Sequence, residues 1–183
     1  ATGCATTAAT FNVTINPNPV PVISGSTIVC ANQTGEVYTT PFVAGNTYNW
    51  TVIGGTITAG AGTNSITISW GSGSSGIVRV TQTVSATGCA TTTPDYNVTI
   101  NPNPTPLISG NNNVCTNQIG VVYSTPPAAD RTYNWSVAGG AITSGSGTNS
   151  ITVTWGAAGI GTVQLQEVIN STSCSITTAA YNV

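Results

Sequence analysis

Apolar and polar positions alternate along this chain in short runs. In residues 47–53 (TYNWTVI), Tyr48, Trp50 and Val52 take every second place, and in Ser65–Trp70 (SITISW), Ile66, Ile68 and Trp70 alternate with Thr67 and Ser69. A two-residue period puts the apolar side chains on one face of an extended strand. Helical spacing is nowhere sustained, and β-branched runs recur between clusters of Gly, Asn, Pro and Ser. The pattern predicts strands over 21–24, 27–30, 36–40, 47–53, 56–58, Ser65–Trp70, 77–84 and 91–100. Gly54-Gly55, repeated as Gly139-Gly140, lies between two such runs and predicts a two-residue hairpin turn, where positive φ is required.

The whole pattern occurs twice. Cys4, Cys89 and Cys174 are spaced by 85 residues, and the same offset relates Cys30 to Cys115, Trp50 to Trp135, Trp70 to Trp155 and Tyr96 to Tyr181. Residues 14–98 align on 99–183 without a gap, sharing TINPNP, TYNW, GTNSIT and YNV, so this is a tandem array. Residues 1–13 (ATGCATTAATFNV) match the ends of both full repeats, ATGCATTTPDYNV and STSCSITTAAYNV. The expected domains are therefore 1–15, the C-terminal strand of a preceding repeat, then repeats at 16–100 and 101–183. Beginning and ending at one phase of the period suggests a window on a longer array, or the repeating unit of a fibre.

Seven or eight short strands in about 85 residues fit an immunoglobulin-type β-sandwich, so the expected fold is all-β, with tandem sandwiches joined by Pro-rich linkers. The linkers are Asn-Pro-Asn-Pro-Val-Pro at 16–21 and Asn-Pro-Asn-Pro-Thr-Pro at 101–106. Alternating prolines fix φ and remove amide donors, which favours a short, semi-rigid joint and a stiff string of modules.

Composition narrows the function. Of 183 residues only two are cationic and four anionic, and His is absent. Two cationic side chains leave no electrostatic footprint for phosphates, which argues against nucleic acid and anionic membranes as partners. No stretch approaches the ~20 apolar residues of a membrane span. No charge recurs between repeats: Glu36 aligns with Val121, Arg79 with Gln164, Asp95 with Ala180, Asp130 with Gly45, Arg131 with Asn46 and Glu167 with Gln82. Neither a pair of acids for glycoside hydrolysis, nor a His for a Ser or Cys nucleophile, nor a cluster of carboxylates for calcium is offered by the repeat. We expect no enzyme, no cofactor and no metal.

The distinctive residues are aromatic, Cys and Asn. Trp50 and Trp135 are expected in the core. Trp70 and Trp155, at strand ends beside Gly, are core residues on the plainest reading and otherwise candidates for a glycan or inter-repeat contact. Tyr38 and Tyr123 are further places to look for an exposed sugar platform. The Cys spacing admits two periodic solutions. One pairs Cys30 with Cys89 and Cys115 with Cys174 inside each repeat, leaving Cys4 to an upstream partner. The other pairs Cys residues of neighbouring repeats and staples the rod along its length. The first is favoured because a single module can then fold and oxidise alone. Asn12, Asn32, Asn49, Asn97, Asn134 and Asn170 lie in Asn-x-Ser/Thr sequons and are candidate glycosylation sites.

The order VCANQTGEVY, TYNWTVIGGTI, TNSITISWG, GIVRVTQTVSATGC and YNVTINPNP, with its second-repeat counterpart, resembles PKD-like, immunoglobulin-like repeats. Such repeats occur in very large surface and secreted proteins of gliding bacteria that use type IX secretion. The resemblance covers essentially the whole chain. It implies a two-Cys sandwich with a core Trp, here Cys30, Trp50 and Cys89, then Cys115, Trp135 and Cys174. It also implies a role as spacer or adhesive stalk. The acidic-glycine turn that follows the Trp in the founding PKD pattern is replaced by Val-Ile-Gly-Gly or Val-Ala-Gly-Gly.

The expected function is therefore structural: extracellular, cell-surface modules of a long adhesin or filament, partnered by neighbouring copies or repeats. The alternative is a carbohydrate-binding accessory module of a secreted protein, with polysaccharide as partner. A bare neutral surface favours self-association, so the surface is expected to be glycosylated or packed against other copies.

Overall fold

The computed structural model describes residue 3 and residues 9–183, and within them the chain is all strand and loop. Residues 1, 2 and 4–8, with the upstream pairing expected for Cys4, lie outside the described residues. Residues 9–15, where the sequence predicts the last strand of a preceding repeat, belong to no strand, and Phe11, Val13 and Ile15 are exposed.

The first repeat contains β1 (Ile28–Cys30), β2 (Glu36–Thr39), β3 (Asn46–Ile53), β4 (Gly55–Ala59), β5 (Ser65–Trp70), β6 (Ser75–Val84), β7 (Ala90–Thr92) and β8 (Tyr96–Asn101). One sheet has the order β2-β5-β4. The other has β1-β8-β6-β3, with β7 also paired to β6. The apolar faces predicted from alternation meet between them: Tyr48, Trp50, Ile66, Ile68, Trp70, Val78, Val80, Val98 and Ile100 form one buried cluster. Trp50 Nε1 donates to Thr63 O at 2.8 Å, which satisfies the one polar atom that this core indole carries.

Three expectations are corrected. Residues 21–24 form only an isolated bridge, Ser24 to Thr39, because Pro21 lacks an amide donor and the linker prolines precede it. The run 91–100 divides into β7 and β8. At the break, Thr93 N donates to Val80 O, and Thr93 Oγ1 accepts from Val80 N, so the side chain replaces a ladder bond. Thr178 does the same for Leu165 in the second repeat, where Ala179 stands in place of Pro94, so Thr and not Pro is common to both breaks. Finally, Gly54-Gly55 is not a hairpin turn. β3 pairs with β6 and β4 with β5, so the two glycines carry the chain from one sheet to the other. Gly54 has φ 80°, and a Cβ there would stand 2.6 Å from Ser75 O.

The second repeat contains β9 (Ser109–Gly110), β10 (Val121–Ser124), β11 (Arg131–Ala138), β12 (Gly140–Ser144), β13 (Ser150–Trp155), β14 (Thr162–Ile169), β15 (Ser175–Thr177) and β16 (Tyr181–Asn182). Its sheets are β12-β13-β10-β9 and β11-β14-β15, with β16 also on β14. It has its own core of Ile108, Val121, Tyr123, Tyr133, Ile151, Val153, Trp155, Val163 and Leu165. One difference bears on function. In the first repeat β1 lies parallel to residues 99–101 of β8, with Val29 opposite Ile100 and Cys30 opposite Asn101. Residues 113–115, at the phase of β1, form no strand.

Candidate functional site: the joint between repeats

The aromatic candidates are all internal. Tyr38 and Tyr123 are fully buried, and Trp70 and Trp155 are 3% and 5% exposed. Tyr38 meets Trp70 edge to face, with ring centroids 5.8 Å apart, and Tyr123 meets Trp155 in the same way at 6.0 Å. Tyr38 OH donates to Ser26 O, Tyr123 OH to Asn111 O, Tyr96 OH to Gly25 O and Tyr181 OH to Gly110 O. Burial pushes the Tyr38 phenol up to about 12 and raises that of Tyr123. Trp70 and Trp155 are therefore core residues and not glycan-stacking faces, because their ring faces are consumed by packing. The sugar platform expected from Tyr38, Trp70, Tyr123 and Trp155 is not formed.

The cysteines correct the favoured pairing. Cys30 is bonded to Cys174, with Cα atoms 5.6 Å apart and 144 residues between them in sequence, while Cys89 and Cys115 carry free thiols. Neither Cys30–Cys89 nor Cys115–Cys174 is formed. The reason is the length of the sandwich. Cys30 lies opposite Asn101, beyond the Ser75 end of β6, whereas Cys89 lies in the turn after Val84, at the other end of that ten-residue strand. At ~3.3 Å per residue the two ends are about 30 Å apart, several times the Cα separation a disulfide can span. The Cys30 end of one repeat instead abuts the Cys174 turn of the next. The structure thus takes the second periodic solution, a staple between neighbours.

The remainder of the joint is built around that staple. Ala31 N donates to Asn101 O, and Asn103 Nδ2, from the Asn-Pro-Asn-Pro linker, donates to Ala31 O at 2.7 Å. Pro104 is buried, so the linker is clasped between the repeats. Cys30 N donates to the Gln33 side chain at 2.7 Å, and Gln33 O accepts from Trp70 N, which anchors the Cys30 loop on the core strand β5. Asn103 and Gln33 carry no distinctive chemistry of their own in the sequence. The recurrence of Cys-x-Asn-Gln at 30–33 and 115–118, and of Asn at 18 and 103, was the available signal.

Two carboxylates border the joint: Glu36 accepts from Gln33 Nε2, and Asp130 accepts from Ser171 N in the turn that carries Cys174. Arg79 pairs with Asp95 on the surface, and Arg131 Nε donates to Glu167 at 2.7 Å, with the Glu167 carboxylate nearly buried. The Arg79 hydrogen bond lowers the Asp95 carboxyl, and hydrogen bonds from Ser171 lower that of Asp130. Among the described residues no group of three His, Cys, Asp or Glu stands close enough to hold a metal. Asn12, Asn32, Asn49, Asn97, Asn134 and Asn170 are all exposed. Asn134 Nδ2 donates to Gln166, and Asn170 Oδ1 accepts from Thr132.

The PKD-like domain family matches residues 16–100 and again 101–183. No curated relative matches the chain. Among solved structures, a marsupial T cell receptor is similar at 10% identity and TM-score 0.39, over 89% of this chain and 72% of that one. A 282-residue C-terminal fragment of intimin, in complex with the intimin-binding domain of its translocated receptor, is similar at 13% identity and TM-score 0.40, over 92% and 64%. Fibronectin(III)-like modules of Clostridium thermocellum CbhA are similar at 10% identity and TM-score 0.38, over 88% and 92%. The chain belongs to the PKD-like domain family and consists, from residue 16 onward, of two successive copies of that module stapled to one another by Cys30 and Cys174.

Proposed function

We propose that these repeats are structural modules of a long extracellular protein, a cell-surface adhesin or a filament, and that their work is mechanical. The observation that supports this is the Cys30–Cys174 bond across the joint. A bond inside each repeat would protect each sandwich separately. A bond between repeats instead resists their separation and fixes one against the next, which is what a stalk or fibre requires. Disulfides persist in oxidising compartments, which favours the cell surface or the exterior. The neutral surface, without a shared charge in the two repeats, suits close lateral or end-to-end contact between copies. Sugar on the exposed sequons would serve the same surface in another way. The gliding-bacterial, type IX-secreted setting belongs to this reading.

An antibody raised against the chain tests the reading by immunogold labelling of intact and sectioned source cells. Label on strands or material outside the cell is expected. Label confined to the cytoplasm overturns it. Peptide mass spectrometry of the native material checks the sugars, expected as mass increments on peptides carrying Asn12, Asn32, Asn49, Asn97, Asn134 or Asn170.

A further inference from the structure

We propose that Glu36 and Asp130 are positioning residues for the Cys30–Cys174 bond: each holds one half of the joint in the bonded arrangement, and together they make the bond harder to reduce. The proposal deepens the mechanical reading, on which its use to a stalk or fibre rests, because a bond that bears tension has to stay closed when small thiols reach it.

Both carboxylates depart from the repeat, and both do so at the joint. Glu36 aligns with Val121 and Asp130 with Gly45, so neither acid is present at the same phase in the other repeat. The loop around Cys115 and the turn around Cys89 form without them. The two acids therefore serve something other than the fold of the module.

Glu36 acts on Cys30 through Gln33. Gln33 Oε1 accepts from Cys30 N at 2.7 Å, Gln33 Nε2 donates to Glu36 Oε1, and Glu36 Oε2 accepts from Ser26 Oγ at 2.7 Å. An amide side chain can turn either end toward a neighbour, whereas a carboxylate only accepts. Glu36 thus fixes Gln33 with its oxygen toward Cys30 and steadies the loop that carries the sulfur. Gln118 makes the same bond to Cys115 N, but the Val121 side chain has no acceptor with which to orient it.

Asp130 acts on Cys174 through the turn at 170–174. Its Oδ2 accepts from Ser171 N at 3.1 Å, and its carbonyl accepts from Asn170 N at 3.1 Å. Gly45 keeps only the second of these bonds, from Ser85 N, since it has no side chain to reach the next amide. The carboxylate is held there against backbone preference. Asp130 has φ 59° where Gly45 has 78°, and Ser173, beside Cys174, has φ 60° where Gly88 has 73°. Left-handed backbone disfavours residues with a Cβ. Two glycines at this end of the first repeat are thus replaced, at a conformational cost, by residues that stiffen the support of Cys174.

The bond is within reach of a reductant. Cys30 lines an open cleft of about 460 Å³ between the repeats, with Asn32, Gln33, Asn103, Ser173 and Ser175, whereas Cys174 is fully buried. A glutathione thiolate entering the cleft attacks Cys30 Sγ, and the S–S bond breaks with Cys174 leaving as the thiolate. A second glutathione thiolate attacks the glutathione sulfur of the mixed disulfide and releases Cys30. Two glutathione thiols are oxidised to one glutathione disulfide, the protein disulfide is reduced, and the two protons pass to Cys30 and Cys174. The balance depends on how much freedom the loop and the turn gain on opening. Glu36 and Asp130 keep both near their bonded places, so the two thiols retain a high effective concentration for each other.

The test is the equilibrium of the 30–174 bond with glutathione in the whole chain, with Cys4, Cys89 and Cys115 changed to Ser, read by alkylation and mass spectrometry. Glu36→Val and Asp130→Gly install residues that the other repeat already accommodates. Each is expected to lower the constant for bond formation about fivefold, a shift of ~20 mV. The double variant is expected to lower it about 25-fold, or ~40 mV, because the two residues act on separate halves. Glu36→Gln and Asp130→Asn keep an accepting oxygen and retain most of the constant, and Gly45→Asp and Val121→Glu, away from the joint, leave it unchanged. Denaturant titration should show the oxidised chain losing more stability than the reduced chain in Glu36→Val and Asp130→Gly. A constant within twofold of the parent overturns the role of the residue changed, and in both variants the whole proposal. Equal losses of stability in the oxidised and reduced chains mark an ordinary structural contact and overturn it too, as does an equal fall in Gly45→Asp or Val121→Glu. Unmoved constants sink this proposal alone, whereas label confined to the cytoplasm sinks the mechanical reading.

Discussion

Cys30, at the end of β1, is bonded to Cys174, in the turn before β15, across the joint between the two repeats. Tension applied at the two ends of the chain passes from residue 30 directly to residue 174, so the linker and nearly all of both sandwiches lie outside the covalent path. Pulling a single oxidised chain is expected to extend only the segments outside that loop. Reduction releases a sequence separation of 144 residues, which at ~3.5 Å each adds about 500 Å of extensible length. Force spectroscopy with and without reductant measures the difference. Equal lengths in the two conditions would mean that the bond does not bear tension.

Arg131 and Glu167 form an ion pair in the second repeat at phases where the first has Asn46 and Gln82. Removing one partner leaves the other charge poorly solvated, so Glu167→Ala is expected to cost about 3 kcal/mol. The double change Arg131→Asn with Glu167→Gln installs the first repeat's own solution and is expected to lie within about 1 kcal/mol of the parent. Denaturant titration of both single variants and the double closes this cycle.

Trp70 packs on bare backbone. A Cβ at Gly76 would overlap its indole, whereas one at Gly73 would have only Ser75 O nearby, at 3.9 Å. Gly76→Ala is expected to destabilise by about 1–3 kcal/mol through overpacking. Gly73→Ala is expected to stay within about 0.5 kcal/mol. In the same cluster Tyr38→Phe loses the hydrogen bond to Ser26 O and is expected to cost about 1 kcal/mol. Thermal melts of the three variants are sufficient to rank them.

The pH dependence of stability follows from very few groups. The Tyr38 phenol is raised to about 12 in the fold, so its contribution is complete below pH 10, where the unfolded phenol titrates, and is lost as pH rises through about 12. Asp95 and Asp130 are lowered, so they contribute above the ordinary carboxylate range and lose that contribution as pH falls through their folded values. The melting temperature is expected to be flat between about pH 5 and 9, to drop beyond pH 10, and to drop below about pH 4. Tyr38→Phe should blunt the alkaline fall. A melting temperature that slopes through neutrality would contradict this.

Strand positions were legible because alternation is local: residues 47–53 and Ser65–Trp70 carry their inward faces in their own spacing. The 85-residue period was likewise plain, and with it the all-β class and the core place of Trp50, whereas Trp135 is only partly buried against its core. Local pattern is silent where a neighbour supplies the partner. Gly54-Gly55 has hairpin chemistry, but whether β3 and β4 share a sheet depends on β5 and β6, which arrive later in the chain. Trp70 and Trp155, at strand ends, face inward only because bare glycines such as Gly76 and Gly161 let the rings approach.

The sequence by itself determined the module, its repetition, its neutrality and the phase of every cysteine. The tertiary structure decided which cysteines meet. Periodicity gives two solutions of equal regularity, and the choice between them is one of distance. A sandwich about 30 Å long holds its own two cysteines at opposite ends, while the clasped linker brings one repeat's end against the next repeat's turn. The scarcity of charge changes meaning with it. What first argues against nucleic acid as a partner becomes a property of surfaces that meet, because among the described residues the joint is closed by a disulfide, proline and amide hydrogen bonds, and without an ion pair.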